Sequence, residues 1–266
     1  MTQRQRKTEK TAVISGGSSG IGLECARILC LRGYKVTLLA RDKARLESAR
    51  RLLHEITGQE VTIRSLDVIN AQDCEQAIEE IGAIDWLITS AGMVEPGLFH
   101  SLGLDSHRRQ METNYFGTLN LVAPAARIMA RNGGGKITMI ASGAALVGIA
   151  GYSAYAPGKF AVRGLGEVLR VELASLGISV SVAFPPDTDT PQLAKEALAR
   201  PEITRWLAAG GGLLPASQVA EQLIEGAEAG RFMLTPSLLM MAFGWLHSLY
   251  APFFRKKQIR LMRKVK

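Results

Sequence analysis

Cysteine is scarce in this 266-residue chain: Cys25, Cys30 and Cys74 are an odd set without disulfide spacing, and none has metal-ligand company. A disulfide-stapled scaffold is excluded, no metal is expected, and thiols in segments that read as helices fit a reducing, cytosolic compartment. No apolar run stands at the N-terminus, where Met1–Lys10 carries four basic residues against Glu9, so a cleaved secretory signal is not expected. Internal repeats, low-complexity tracts and linker-like stretches are also missing, which points to one domain. A basic stripe with interleaved aromatics is absent, so no nucleic-acid partner is expected. Of the net charge of +8, the tail Arg255–Lys266 contributes +7 and Met1–Lys10 contributes +3, leaving the body between them at −2.

What is present is an alternation of short apolar runs with helix-periodic segments. Strands are expected at Thr11–Ser15, Lys35–Ala40, Val61–Ser65, Trp86–Ser90, Lys136–Ala141 and Ile178–Phe184, with a last one at Phe232–Thr235. This order predicts a doubly wound α/β fold: a single Rossmann-like domain, its mostly parallel sheet of roughly seven strands covered by helices on both faces. The expected organisation is a basic tail over 1–10, a dinucleotide-binding reductase domain over 11–236, and an apolar segment with a basic tail over 237–266.

Between the first strand and its helix lies Ser15-Gly16-Gly17-Ser18-Ser19-Gly20-Ile21-Gly22. Gly16 permits a tight turn, Gly20 lets the backbone approach a pyrophosphate, and Gly22 allows the helix to pack on the sheet with its N-terminus toward the phosphates. Ser18, Ser19 and Ile21 complete that turn. The second strand ends at Ala40 and is followed by Arg41 rather than by a ribose-binding carboxylate, which favours the 2′-phosphate of NADPH. Arg45, one turn along the next helix, either reaches the same phosphate or forms a solvated basic helix start.

Tyr155 and Lys159 are four residues apart, on one face of a helix, downstream of Ser142. An ammonium beside a phenol favours its ionised form, which would make Tyr155 an acid near neutral pH. With these residues in this order the chain resembles the short-chain dehydrogenase/reductase family from about Thr11 to Phe232. The resemblance implies hydride transfer from NADPH to a ketone, with Asn114, Ser142, Tyr155 and Lys159 as the catalytic set. It also implies adenine contact by Asp67, cofactor contacts by Ala91 and Thr188, a water-linked proton path at Asn114, and a homo-oligomer. Two departures stand out: Ser90 replaces the usual Asn before Ala91-Gly92, and Pro157-Gly158 separates Tyr155 from Lys159. Pro157 is tolerable in a first helical turn.

The segment Phe184-Pro185-Pro186-Asp187-Thr188-Asp189-Thr190-Pro191 resembles its counterpart in 3-ketodihydrosphingosine reductases, which reduce the 3-keto group of a long-chain sphingoid base. A long-chain lipid ketone is then the implied substrate, Asp187 and Asp189 either attracting its amine or serving turns and caps. A steroid or 3-ketoacyl reductase and a non-catalytic NADP-sensing scaffold are the other readings. Phe232–Phe254 contains no Asp, Glu, Lys or Arg, but Pro236 and Pro252 are expected to break it. It reads either as an apolar hairpin or interfacial helix whose basic tail meets anionic lipid, or as an oligomer interface or substrate lid. The implied location is cytoplasmic and membrane-associated: the cytosolic face of the endoplasmic reticulum in a eukaryote, the inner membrane in a bacterium.

Overall fold

A computed structural model describes residues 9–209 and 211–264. The amino-terminal half alternates β1 (Thr11–Ser15), α1 (Gly20–Leu31), β2 (Lys35–Ala40), α2 (Lys43–Thr57), β3 (Thr62–Ser65), α3 (Ala71–Ile81) and β4 (Trp86–Thr89). Then come α4 (Leu104–Met111), α5 (Gly117–Arg131), β5 (Gly135–Ile140), α6 (Ala156–Glu172) and β6 (Ile178–Ala183). The remainder holds β7 (Asp187–Asp189), α7 (Pro191–Ala199), α8 (Glu202–Ala209), β8 (Leu213–Pro215) and α9 (Ala216–Glu228). It closes with β9 (Met233–Leu234), α10 (Leu238–Trp245) and α11 (His247–Met262).

Seven strands form one parallel sheet in the order β3-β2-β1-β4-β5-β6-β9, and β7 pairs with β8 in a small separate sheet. The strands of the large sheet lie within one or two residues of the positions their apolar runs predict. Central strands read as continuous apolar runs because helices cover both faces: Val13, Leu87 and Ile137 point into one core, Ile14, Ile88 and Leu38 into the other. Trp86 is fully buried and donates its indole N–H to Thr138 Oγ1 at 3.0 Å, tying β4 to β5. All three cysteines are free and buried, and burial pushes the Cys30 thiol up to about 11.

Strand order reverses between β1 and β4, and a ligand crevice is expected at the carboxyl ends of the strands flanking such a reversal. Two local features shape that rim. Residues Glu112–Phe116 form a π-helical turn between α4 and α5, and Asn114 lies within it. Pro157 falls in the first turn of α6, where its missing N–H has no helical partner to lose.

The carboxyl-terminal segment folds as two helices, α10 and α11, that meet through Phe243, Tyr250 and Phe254. Pro252 does not break it; the residue lies inside α11, which carries the apolar run straight into the basic tail. The hydrogen bond lost at Pro252 is offset by packing: Ala251 is buried, and Phe243 meets Tyr250 and Phe254 edge-on at 6.0 and 5.6 Å. Among the described residues no helix is long and apolar enough to cross a membrane.

Candidate active site

A single cleft of about 910 Å³ runs along the crevice, from the glycine turn past Tyr155 to the side chains of Met240, Phe243 and Phe254. At its amino-terminal end Gly16 adopts φ +66, and a Cβ there would lie 2.7 Å from the backbone nitrogen of Ala91. Gly22 lies behind the turn, where a Cβ would lie 2.5 Å from Gly16 O, so only glycine lets α1 approach. Ser19 is the N-cap of α1, yet its side chain makes no capping bond, and the first turn holds no acid. The first amides of α1 are thus left for an anion, and Ser18, Ser19, Gly20 and Ile21 line the cleft beside them. This cradle fits a dinucleotide pyrophosphate.

Arg41 and Asp67 meet across the neighbouring strand ends, Nη1 to Oδ2 at 3.7 Å, with the arginine side chain 68% exposed. Arg45 also lines the cleft. Asp42, one residue past Arg41, is a carboxylate that the reading of the strand end passed over. Its Oδ1 accepts from the Arg45 backbone N–H at 3.0 Å, so it caps α2. Ser15 Oγ accepts from Ser90 N at 3.2 Å and Ala91 N at 3.3 Å, which holds the chain after β4 in place with serine at position 90.

Ser142, Tyr155 and Lys159 converge at the middle of the cleft. Ser142 lies two residues past β5; its Oγ accepts from Ala144 N at 3.1 Å, leaving its own proton free to be donated. Burial pushes the Tyr155 phenol well above its usual value, the Ser142 hydroxyl working in the opposite direction. Lys159 Nζ lies 5.7 Å from the Tyr155 ring centre and donates to Ile140 O at 3.0 Å; burial lowers its pKa to about 8. Burial therefore dominates at Tyr155, and the phenol keeps its proton at neutral pH. The expected lowering of its pKa by Lys159 does not govern this arrangement.

Asn114 is buried and does not line the cleft. Its amide pairs with Met93 in both directions, Oδ1 accepting from Met93 N and Nδ2 donating to Met93 O, each at 2.9 Å. It nonetheless lies near the lysine: a Cβ at Gly92 would be 2.9 Å from Asn114 Oδ1 and 3.5 Å from Lys159 Nζ.

Thr188, buried in β7, lines the cleft and donates to Pro186 O at 3.0 Å. Asp187 is not available as a lone lure for an amine: Arg200 Nη1 and Nη2 bind it at 2.5 and 2.7 Å. Arg200 Nε also donates to Glu196 Oε1 at 2.7 Å, and the Tyr152 hydroxyl donates to that same oxygen. Sequence reading missed this network, although Glu196 and Arg200 stand four apart at the end of α7. It missed Gln258 too. From α11, Gln258 accepts from Ala150 N and donates to Gly148 O, both at 2.8 Å, fastening the carboxyl-terminal helix to the loop before Tyr155.

A parallel sheet opening onto a glycine turn at one side and a serine, tyrosine and lysine beside it is the framework of a dinucleotide-dependent oxidoreductase. A sequence model of the short chain dehydrogenases matches residues 10–200, and the chain belongs to that family. It is 38% identical to a 3-dehydrosphinganine reductase of Arabidopsis thaliana over 225 residues, 84% of this chain and 68% of that protein. A 3-dehydrosphinganine reductase of Danio rerio is 35% identical over 229 residues, 83% of this chain and 69% of that one. Among solved structures, a short-chain dehydrogenase from Sphingobium yanoikuyae in complex with NADPH shares the fold. It superposes with a TM-score of 0.79 at 24% identity, covering 97% of this chain and 96% of that one.

Proposed function

We propose that this protein reduces the 3-keto group of a long-chain sphingoid base, 3-ketosphinganine to sphinganine, with NADPH. The observation that carries this reading is the similarity to 3-dehydrosphinganine reductases across 84% of the chain, which includes the serine, tyrosine and lysine of the cleft. The hydride delivered to the ketone carbon is chemistry that NADPH supplies when bound. Arg41 and Arg45 face the cleft beside the strand ends where a 2′-phosphate would lie, and Asp67 stands where an adenine would. Ala91 and Thr188 line the path toward the reacting centre.

Tyr155 gives its phenolic proton to the carbonyl oxygen as the carbonyl bond pair moves onto that oxygen. Ser142 donates a hydrogen bond to the same atom, and the Lys159 ammonium stabilises the phenolate left behind. The phenolate then regains a proton from water. The gap kept open by Gly92, between Asn114 Oδ1 and Lys159 Nζ, is where we place that water-linked path, with Asn114 as a positioning residue. The alkyl chain of the substrate runs toward Met240, Phe243 and Phe254.

The carboxyl-terminal helix supports docking on a membrane surface. Leu249, Phe253, Lys256 and Arg260 are exposed at spacings that share one helix face, apolar toward one end and basic toward the other. Free, buried cysteines fit the cytosolic side of such a membrane. Self-association is supported by exposed Phe160, Val168 and Val171 along α6, and light scattering of the purified protein reads it directly.

The test is an assay of purified protein with NADPH and 3-ketosphinganine, following sphinganine by mass spectrometry. One sphinganine per NADPH oxidised is expected. No turnover of this ketone beside rapid reduction of a steroid or 3-ketoacyl chain overturns the reading. Vesicle flotation tests the surface: anionic vesicles should carry the protein, and equal flotation with zwitterionic ones removes the basic face from it.

A further inference from the structure

At the wall of the cleft one guanidinium serves two carboxylates. The three forked nitrogens of Arg200 are all committed, two to Asp187 and one to Glu196, and the Arg200 and Glu196 side chains are 7% and 8% exposed. The cluster therefore carries a net charge of −1, with Asp187 25% exposed and Glu196 buried. An uncompensated buried charge costs several kcal/mol in general, so a cation beside Glu196 would be favoured. Lys159, the other buried ionised group beside Tyr155, is bonded to Ile140 O instead.

The unfilled position is identifiable. Oε1 of Glu196 accepts from both Tyr152 and Arg200, whereas Oε2 has no hydrogen-bond partner among the described residues. The sealed side-chain polar atoms without partners among those residues are Thr89 Oγ1 and Ser153 Oγ. Glu196 itself lines the cleft, and Oε2 is its oxygen without a hydrogen-bond partner among the described residues. Tyr152, which bonds Glu196, meets the Tyr155 ring edge-on at 5.5 Å and 60°. The carboxylate thus stands one side chain away from the proposed acid.

We infer that Glu196 is the receptor for a primary ammonium on the carbon next to the reacting ketone, held by Oε2 while Arg200 and Tyr152 fix Oε1. The inference rests on the sphingoid substrate proposed above and gives its selection a physical basis. A 2-amino-3-ketone brings the missing positive charge, whereas a steroid or a 3-ketoacyl chain leaves the carboxylate uncompensated. Asp187, bound at both oxygens, serves to orient Arg200.

The test compares wild type and Glu196→Gln on 3-ketosphinganine and on 1-hydroxyoctadecan-3-one, its counterpart without the amine, with NADPH saturating. Wild type should prefer the amino ketone, and Glu196→Gln should lose about 10- to 100-fold in kcat/KM on it while changing less than about 3-fold on the amine-free ketone. Equal losses on both ketones, or no loss on either, overturn the ammonium site alone. A wild type that prefers the amine-free ketone overturns both the site and the proposed substrate. A second measurement needs no variant: decylamine should inhibit wild type at least about 10-fold more strongly than decanol, and equal inhibition overturns the site.

Discussion

At the dinucleotide end of the cleft, the eight residues from Ser15 to Gly22 build a cradle from one local turn. At the substrate end, Tyr152 meets Glu196 across 44 residues, and Ala150 and Gly148 meet Gln258 across 108 and 110. The first region presents backbone amides to an anion, so its requirement is for glycine and for a helix start. The second uses desolvated side-chain charge and amide bonds, so its requirement is for partners brought from distant parts of the chain. Between them Tyr155 belongs to both, opening α6 while its ring rests on Tyr152.

Substitutions should separate the two ends. Tyr155→Phe, at their junction, should lower kcat by about 10³-fold while NADPH affinity stays within about 3-fold. Residual turnover near wild type in a stopped-flow assay would remove the tyrosine as acid. Lys159→Met should cost about 10²-fold in turnover yet raise the stability of the ligand-free protein by about 1–3 kcal/mol in urea unfolding, because a buried cation is replaced by an apolar chain. The sign with pH follows from the lowered pKa. Between about 8 and 10.5 the unfolded lysine binds more protons than the folded one, so wild-type stability gains a positive slope with pH there. The methionine variant should lack that slope.

Effects at the two extremities are smaller. Arg41→Ala should weaken NADPH about 10-fold and NADH less than about 2-fold, modest because the side chain is 68% exposed. Equal losses for the two cofactors, measured by fluorescence titration, would take Arg41 out of the phosphate site. Gln258→Ala should raise KM for 3-ketosphinganine about 5-fold through loosening of the 148–150 loop, with NADPH binding unchanged. A loss of NADPH affinity equal to the rise in KM would merge the two ends into one unit.

The same contrast sets what could be read from the sequence. The alternating strands, the glycine turn and the Ser142–Tyr155–Lys159 order are local patterns tied to strand ends and one helix face, and they were legible at residue level. Asn114 was legible as a residue but not as a geometry, since only the fold shows its amide paired with Met93. Asp42 hid beside Arg41 because the choice between ribose contact and helix cap depends on where α2 begins. Pro252 reads as a break because helix propensity ignores the packing of Ala251 and Phe254 that carries α11 past it. For Asp187 the sequence leaves both an amine contact and a turn or cap role open, because Arg200, which occupies both its oxygens, lies 13 residues further on in a segment with no matching signature. Gln258 carried no signal at all, being one amide in a basic tail.

A crystal structure with NADP⁺ and sphinganine bound tests most directly that the two ends meet at Tyr155. The 3-hydroxyl oxygen of sphinganine should lie about 2.6–3.2 Å from both the Tyr155 and Ser142 hydroxyls, with the alkyl chain running toward Met240, Phe243 and Phe254. A 3-hydroxyl bonded elsewhere, with Tyr155 facing only protein, would contradict the proposed reaction.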